Sequence, residues 1–289
     1  MRKIIRGVVL TCFASCILCG GVNASSVYYT NDLGVEMTEL QYNKMLQFFS
    51  ERRVKTVTQE EFDSLKDTTI VDSDAIYQKT TYENGEVIKE EIISEEEYNN
   101  APTAEVNMPG EIVPYDYKYV ETTYKRLSGT LTQASSGYKL VAAVSWKKIP
   151  VCRSYDVFAY RFNHFNYSGF GGNQTYYVNG NYNNIVYNTS SEGYKAQSTG
   201  AGVSMNLVDG SNITGYELTV ATNLTLNTTS VSQAHAYVSY QHAQSDLTRA
   251  QSMGYTLNVS GLGNVILFSN SSIAGKYDGM GGIHLIATL

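Results

Sequence analysis

The sequence predicts a mainly β protein. An antiparallel β-sandwich or jelly-roll-like domain occupies residues 115–289, and a small acidic α+β region occupies residues 25–114. Three observations predict this. Tyr138 to Asn166 holds the only Trp and two apolar runs, Leu140–Val144 and Val157–Tyr160. Leu140, Ala142, Val144 and Trp146 fall on one face, as do Phe158, Tyr160 and Phe162, the period that half-buried strands require. From Tyr115 onward, short alternating segments are separated by Gly, Asn, Ser and Asp clusters, with no stretch of helical period. Charge also divides the chain. Ser26 to Glu121 carries 21 acidic against 8 basic residues, and Thr122 onward 6 against 10. The boundary falls near Pro109-Gly110 and Pro114.

In chain order, Arg2, Lys3 and Arg6 precede an apolar run that ends in Val22-Asn23-Ala24, a small-residue signal-peptidase pattern. Residues 1–24 therefore read as a secretory leader, and no later stretch approaches the ~20 apolar residues of a membrane helix. The expected localisation is secreted, or lipid-anchored at the cell surface if Phe13-Ala-Ser-Cys16 acts as a lipoprotein site. Three of the four Cys lie in this leader, so Cys152 has no partner and stability must come from the core. Beside Val151 at a strand start, Cys152 reads as a small buried residue and not as a nucleophile.

The acidic region repeats one device: Met37-Thr-Glu-Leu-Gln-Tyr-Asn43, Val57-Thr-Gln-Glu-Glu-Phe-Asp63 and Ile93-Ser-Glu-Glu-Glu-Tyr-Asn99. Thr38, Thr58 and Ser94 are placed to cap a first turn. Gln41, Glu61 and Glu97 can reach back, and the apolar residue before each cap can staple onto the aromatic that follows. The unequal spacing marks three reused helix starts and no solenoid. The first helix carries Tyr42, Met45, Leu46 and Phe49 on one face. Between the second and third, Ala75 to Ile93 reads as a β-hairpin about Asn84-Gly85 with Lys79 opposite Glu90 and Tyr77 opposite Ile92. The region has no His, and Asp72-Ser-Asp74 lacks the Gly turn and terminal Glu of a calcium loop.

Tyr28-Tyr-Thr-Asn31, Gly34-Val-Glu-Met-Thr38, Gln41-Tyr42, Trp146-Lys-Lys-Ile-Pro150 and Arg153-Ser-Tyr-Asp156 form two short blocks. On these the chain resembles a group of uncharacterised exported proteins of Gram-positive bacteria. The resemblance implies secretion and a two-part organisation, and it implies no catalytic residue.

In the β-domain, strands are expected at about 117–125, 138–146, 154–162, 175–178, 184–188, 202–208, 214–226 and 233–241, with a final set in 255–289. Gly169 to Asn173, Asn179-Gly-Asn181 and Asp209-Gly-Ser211 read as turns. Ile283, Leu285, Ala287 and Leu289 read as a last half-buried strand inside a sheet. No Gly-x-Ser-x-Gly, His-Glu-x-x-His or P-loop occurs, so no catalytic residue, cofactor or metal is assigned. His235 and His242 are an odd number of residues apart and point to opposite faces of a straight strand.

The expected function is a non-enzymatic binding or interaction module for a cell-envelope or extracellular target, glycan or protein. An acidic chain without an Arg/Lys patch excludes nucleic acid. Phe170, Tyr176, Tyr177, Tyr182 and Tyr187 crowd a loop-rich stretch and are the candidate contact residues, since Tyr offers a flat apolar face and a hydroxyl. Tyr also packs structurally on sheets, and Tyr115, Tyr117 and Tyr119 share a further strand face. The alternative is a β-pore-former in which a hairpin about Asn227–Ser230 within Thr214–Ser245 inserts into a membrane. A third reading is a carbohydrate-active enzyme, which needs two facing carboxylates, with Asp156 and Glu217 the strand-borne candidates.

Overall fold

The computed structural model describes residues 28–102, 120–228, 230–258 and 265–289. The leader, the boundary near Pro109 to Pro114 and the Tyr115, Tyr117 and Tyr119 face lie outside these residues. The chain starts with a small antiparallel pair, β1 (Tyr28–Thr30) and β2 (Glu36–Thr38), followed by α1 (Glu39–Met45), α2 (Glu51–Val54) and α3 (Gln59–Leu65). Thr38 and Thr58 cap α1 and α3 in full capping boxes with Gln41 and Glu61. Ser50 caps α2, a start the sequence reading missed because no Gln or Glu follows at the reciprocal position.

A hairpin comes next, β3 (Thr69–Glu83) and β4 (Glu86–Ile93), and then α4 (Glu95–Asn100), capped by Ser94. Asn84 and Gly85 both take positive φ, 54° and 83°, the conformation a type I′ turn demands. The expected register fails by one residue: Lys79 faces Glu91 and Tyr77 faces Ile93. An irregularity at Thr81/Tyr82 leaves Ile88 unpaired and displaces everything beyond it.

The remaining strands are β5 (Val120–Ala134), β6 (Gly137–Trp146), β7 (Tyr155–Asn163), β8 (Phe165–Val178), β9 (Asn181–Tyr187), β10 (Tyr194–Gln197), β11 (Gly200–Asn206), β12 (Ile213–Leu226) and β13 (Gln233–Gln241). The C-terminal stretch holds α5 (Arg249–Ser252), β14 (Tyr255–Leu257), β15 (Ile266–Phe268), α6 (Ser271–Ala274) and β16 (Ile283–Thr288). These make a β-sandwich of two antiparallel sheets. One has seven strands in the order β4-β3-β5-β6-β12-β8-β9, and the other five in the order β10-β11-β7-β13-β16. Two strands of the acidic region, β3 and β4, complete the larger sheet through the long pairing of β3 with β5.

The core lies between the sheets and contains the two expected faces: Leu140, Ala142, Val144 and Trp146 from β6, and Phe158, Tyr160 and Phe162 from β7. Val141 and Ala221 on the outer face of the larger sheet are covered by Met45, Phe48, Phe49, Val54, Phe62 and Leu65 of the helical segment. The outer face of the smaller sheet is covered by the C-terminal stretch, with Tyr255, Leu257 and Ile266 on Val157 and Ala159. No helix among the described residues is long and apolar enough to cross a membrane.

Two further expectations change. Gly169 to Asn173 is not a turn but the middle of β8, where Gly169 (φ 71°) and Phe170 together oppose Thr222 in a bulge. The Thr222 hydroxyl donates to the Gly169 carbonyl at 2.8 Å. The last strand, β16, pairs with β13 alone and is a sheet edge. Its Ile286 N–H donates to Asp72 of β3 at 2.8 Å, which blunts that edge.

Candidate binding cleft

The five aromatic candidates do not form one patch. Because successive side chains alternate across a sheet, β8 and β9 divide them between two faces. Phe170, Tyr176 and Tyr187 turn into the inter-sheet core. Phe170 lies against Tyr160 and Tyr194, and Tyr187 accepts a hydrogen bond from Gln174. Tyr177 and Tyr182 face outward, toward the helical segment. The Tyr177 hydroxyl donates to the Arg52 carbonyl at 3.2 Å, and the Arg52 guanidinium lies 5.4 Å from its ring centre.

The two candidate carboxylates are divided the same way. Asp156 is buried between the sheets, where it accepts from Tyr240, from the Ala243 N–H at 2.8 Å and, at 3.0 Å, contacts Nδ1 of His242. Glu217 faces the opposite side of the larger sheet. A sheet stands between them, so they cannot flank one glycosidic bond. His235 points away from His242, as expected, and meets His284 with 3.0 Å between ring nitrogens. No group of three or more His, Cys, Asp or Glu among the described residues is placed to hold a metal. Burial, aided by Asp156 and Asp246, pushes the Cys152 thiol up to about 11, so it is not a ready nucleophile.

Glu217 belongs to a feature that the sequence concealed. Paired residues Tyr77, Arg126, Ser145, Glu217, Thr175 and Asn184 form one row across the outer face from β3 to β9. The apolar cover of the helical segment stops beside this row and leaves a cleft of about 470 Å³. Arg52, Lys55, Arg126 and Lys147 line it, against Glu51 and Glu217. Glu51 is matched by Lys55 at 3.9 Å. Arg126 is half-buried, and its Nε has no acceptor among the described residues. It also lines an adjoining depression of about 310 Å³ bordered by Asp74, Glu95 and Thr130.

Two of the other cations are positioned by backbone carbonyls. Arg52 donates to the Thr214 carbonyl at 2.7 Å, over Gly215, where a Cβ would collide with the guanidinium. Lys147 donates to the carbonyls of Asn99 and Ala101 at 2.7 and 3.3 Å and sits over the Tyr98 ring. Glu217 is 1% exposed and accepts the Ser50 N–H at 3.2 Å. Burial raises its carboxyl to about 7, against the opposing pull of Ser50, Arg53 and Arg126. The cleft thus presents a fixed set of donors around one carboxyl that changes charge near neutrality. The signal in sequence was faint: Arg126 follows Lys125 in the polar strand β5, and Ser145 and Glu217 sit among other polar residues of β6 and β12.

No protein-family model matches the chain, and no curated protein does. Among solved structures, the chain is similar to one titled "Pore forming protein", at 9% identity over 76% of this chain and 94% of that one. The TM-score is 0.22, and at that level the likeness carries no argument about fold or activity.

Proposed function

We propose that the protein is an exported, non-enzymatic binding module for an extracellular or cell-envelope target, and that the target is held in the cleft beside Glu217. The cleft itself carries this reading. It is a preformed concavity of the size small ligands and saccharide units occupy, lined by polar groups fixed by backbone and by neighbouring elements. Export rests on Arg2, Lys3 and Arg6, the apolar run and the Ala24 site. The non-enzymatic reading is supported by the placement of Asp156, the only other strand-borne candidate acid, on the far side of the sheet from Glu217.

Co-sedimentation of residues 25–289 with purified cell walls, and separately with lipid vesicles, tests it. Saturable pelleting with walls, as monomer on an unboiled gel, is the expected result. Pelleting with vesicles as detergent-resistant oligomers would overturn the proposal in favour of pore formation. That outcome would require Thr214–Ser245 to rearrange, because β12 and β13 lie in different sheets and form no hairpin in this state.

A further inference from the structure

We infer that the cleft is specific for an acidic saccharide, one whose carboxylate or phosphate oxygens are gripped by the Arg126 guanidinium with Arg52 and Lys147 beside it. The inference rests on the binding reading above and adds the ligand's chemistry. The sequence as a whole carries a net charge of −6, yet after the Lys55–Glu51 pair is set aside this cleft shows three cations and one carboxyl. Of the three, Arg52 and Lys147 are held in place by backbone carbonyls. Arg126 alone of the three keeps a buried donor, Nε, with no acceptor among the described residues, a costly state. Its planar fork suits carboxylate and phosphate oxygens. A saccharide of one or two units fits a concavity of this size, and Ser145 and Asn99 at its wall offer groups that match sugar hydroxyls.

Glu217 makes this grip depend on pH. The groups facing it are Glu51, Arg52, Arg53 and Lys55 from the α2 segment, Tyr98 from α4, Arg126 from β5, Lys147 after β6 and Tyr177 from β8. When Glu217 is ionised it draws on the same cations as the ligand. When it is protonated, the cations are left to the ligand.

Trp146 is the only Trp and borders the cleft, but its ring packs between the sheets against Tyr216, Tyr240 and His242, so calorimetry is the primary readout and fluorescence the secondary one. Residues 25–289 are titrated with a uronic-acid trisaccharide, a phosphorylated trisaccharide and a neutral trisaccharide, with sodium sulfate as competitor. A saturable response to one or both acidic probes is expected, and which one responds identifies the oxyanion. Arg126→Gln should weaken that binding roughly tenfold or more, Arg126→Lys less. Wild-type affinity should rise from pH 8 to pH 6 by up to roughly tenfold, and Glu217→Gln should flatten that profile. Equal binding of the neutral probe, unchanged affinity in Arg126→Gln, or no response to either acidic probe by both methods would overturn the inference. Because sulfate competition is measured on the unaltered chain, a misfolded variant cannot decide the matter. If walls still pellet the protein while acidic probes fail, the binding module stands and only its acidic specificity falls.

Discussion

Glu217 and Asp156 are both buried acids in strands, and their surroundings give them different roles. Glu217 meets Ser50, through its hydroxyl and its backbone N–H, and cations at a distance, yet desolvation dominates and its carboxyl is raised to about 7. A group raised on folding adds stability that is complete below its unfolded value near 4.5 and is lost as pH rises through about 7. Glu217→Gln should therefore have a melting temperature that falls less than the wild type's between pH 5 and pH 8. Parallel thermal melts at the two pH values check this. Asp156 is instead ringed by Tyr240, His242 and the Ala243 N–H, all buried. Asp156→Asn cannot satisfy all three and keep its charge, and should cost about 3 kcal/mol in urea unfolding at pH 7. A loss under ~1 kcal/mol would mean that the ring repacks. That both acids lie in strands was legible in the sequence; that they face apart required the register.

Among the elements, those specified by neighbouring residues were the ones that could be read from sequence. The caps at Thr38, Thr58 and Ser94 and the Asn84-Gly85 turn depend on groups within a few residues, and each forms where expected. The alternating faces of β6 and β7 were equally clear, because burying one face fixes the period. The bulges were not legible: the unpaired Ile88 and the Gly169–Phe170 pair answer to partner strands, not to their own neighbours. The cleft was hidden for the same reason, being a row of single residues drawn from strands distant in the chain. The caps give a graded test. Thr58→Ala should lower stability by about 1 kcal/mol, since it removes one capping partner. Glu61→Ala should cost more, about 3 kcal/mol, because Glu61 both completes that box and pairs with Arg53, which is 0% exposed. Urea midpoints of the two variants order them, and equal losses would remove Arg53 from the account.

For the molecule as a whole, the division by charge and the division by structure do not coincide. The acidic half supplies β3 and β4 to the larger sheet, the cover over Val141 and Ala221, the Ser50 N–H on Glu217 and the Asp72 stop on β16. A chain reduced to residues 120–289 would expose β5 as an unpaired edge along its length, uncover the apolar outer face and leave Glu217 facing water. An open edge beside an exposed apolar face is a template for association between chains. We therefore expect the reduced chain to aggregate, or to stay soluble with neither a cooperative melt nor dispersed amide resonances. A sharp melt and a dispersed spectrum would make the acidic half an accessory that proteolysis could release, leaving a cleft with one wall. Adding residues 25–102 as a separate chain separates folding from solubility. If the acidic half is structural, the two pieces should combine and recover the wild-type cooperative melt, because β3 pairs along the length of β5 and the helical segment covers Val141 and Ala221.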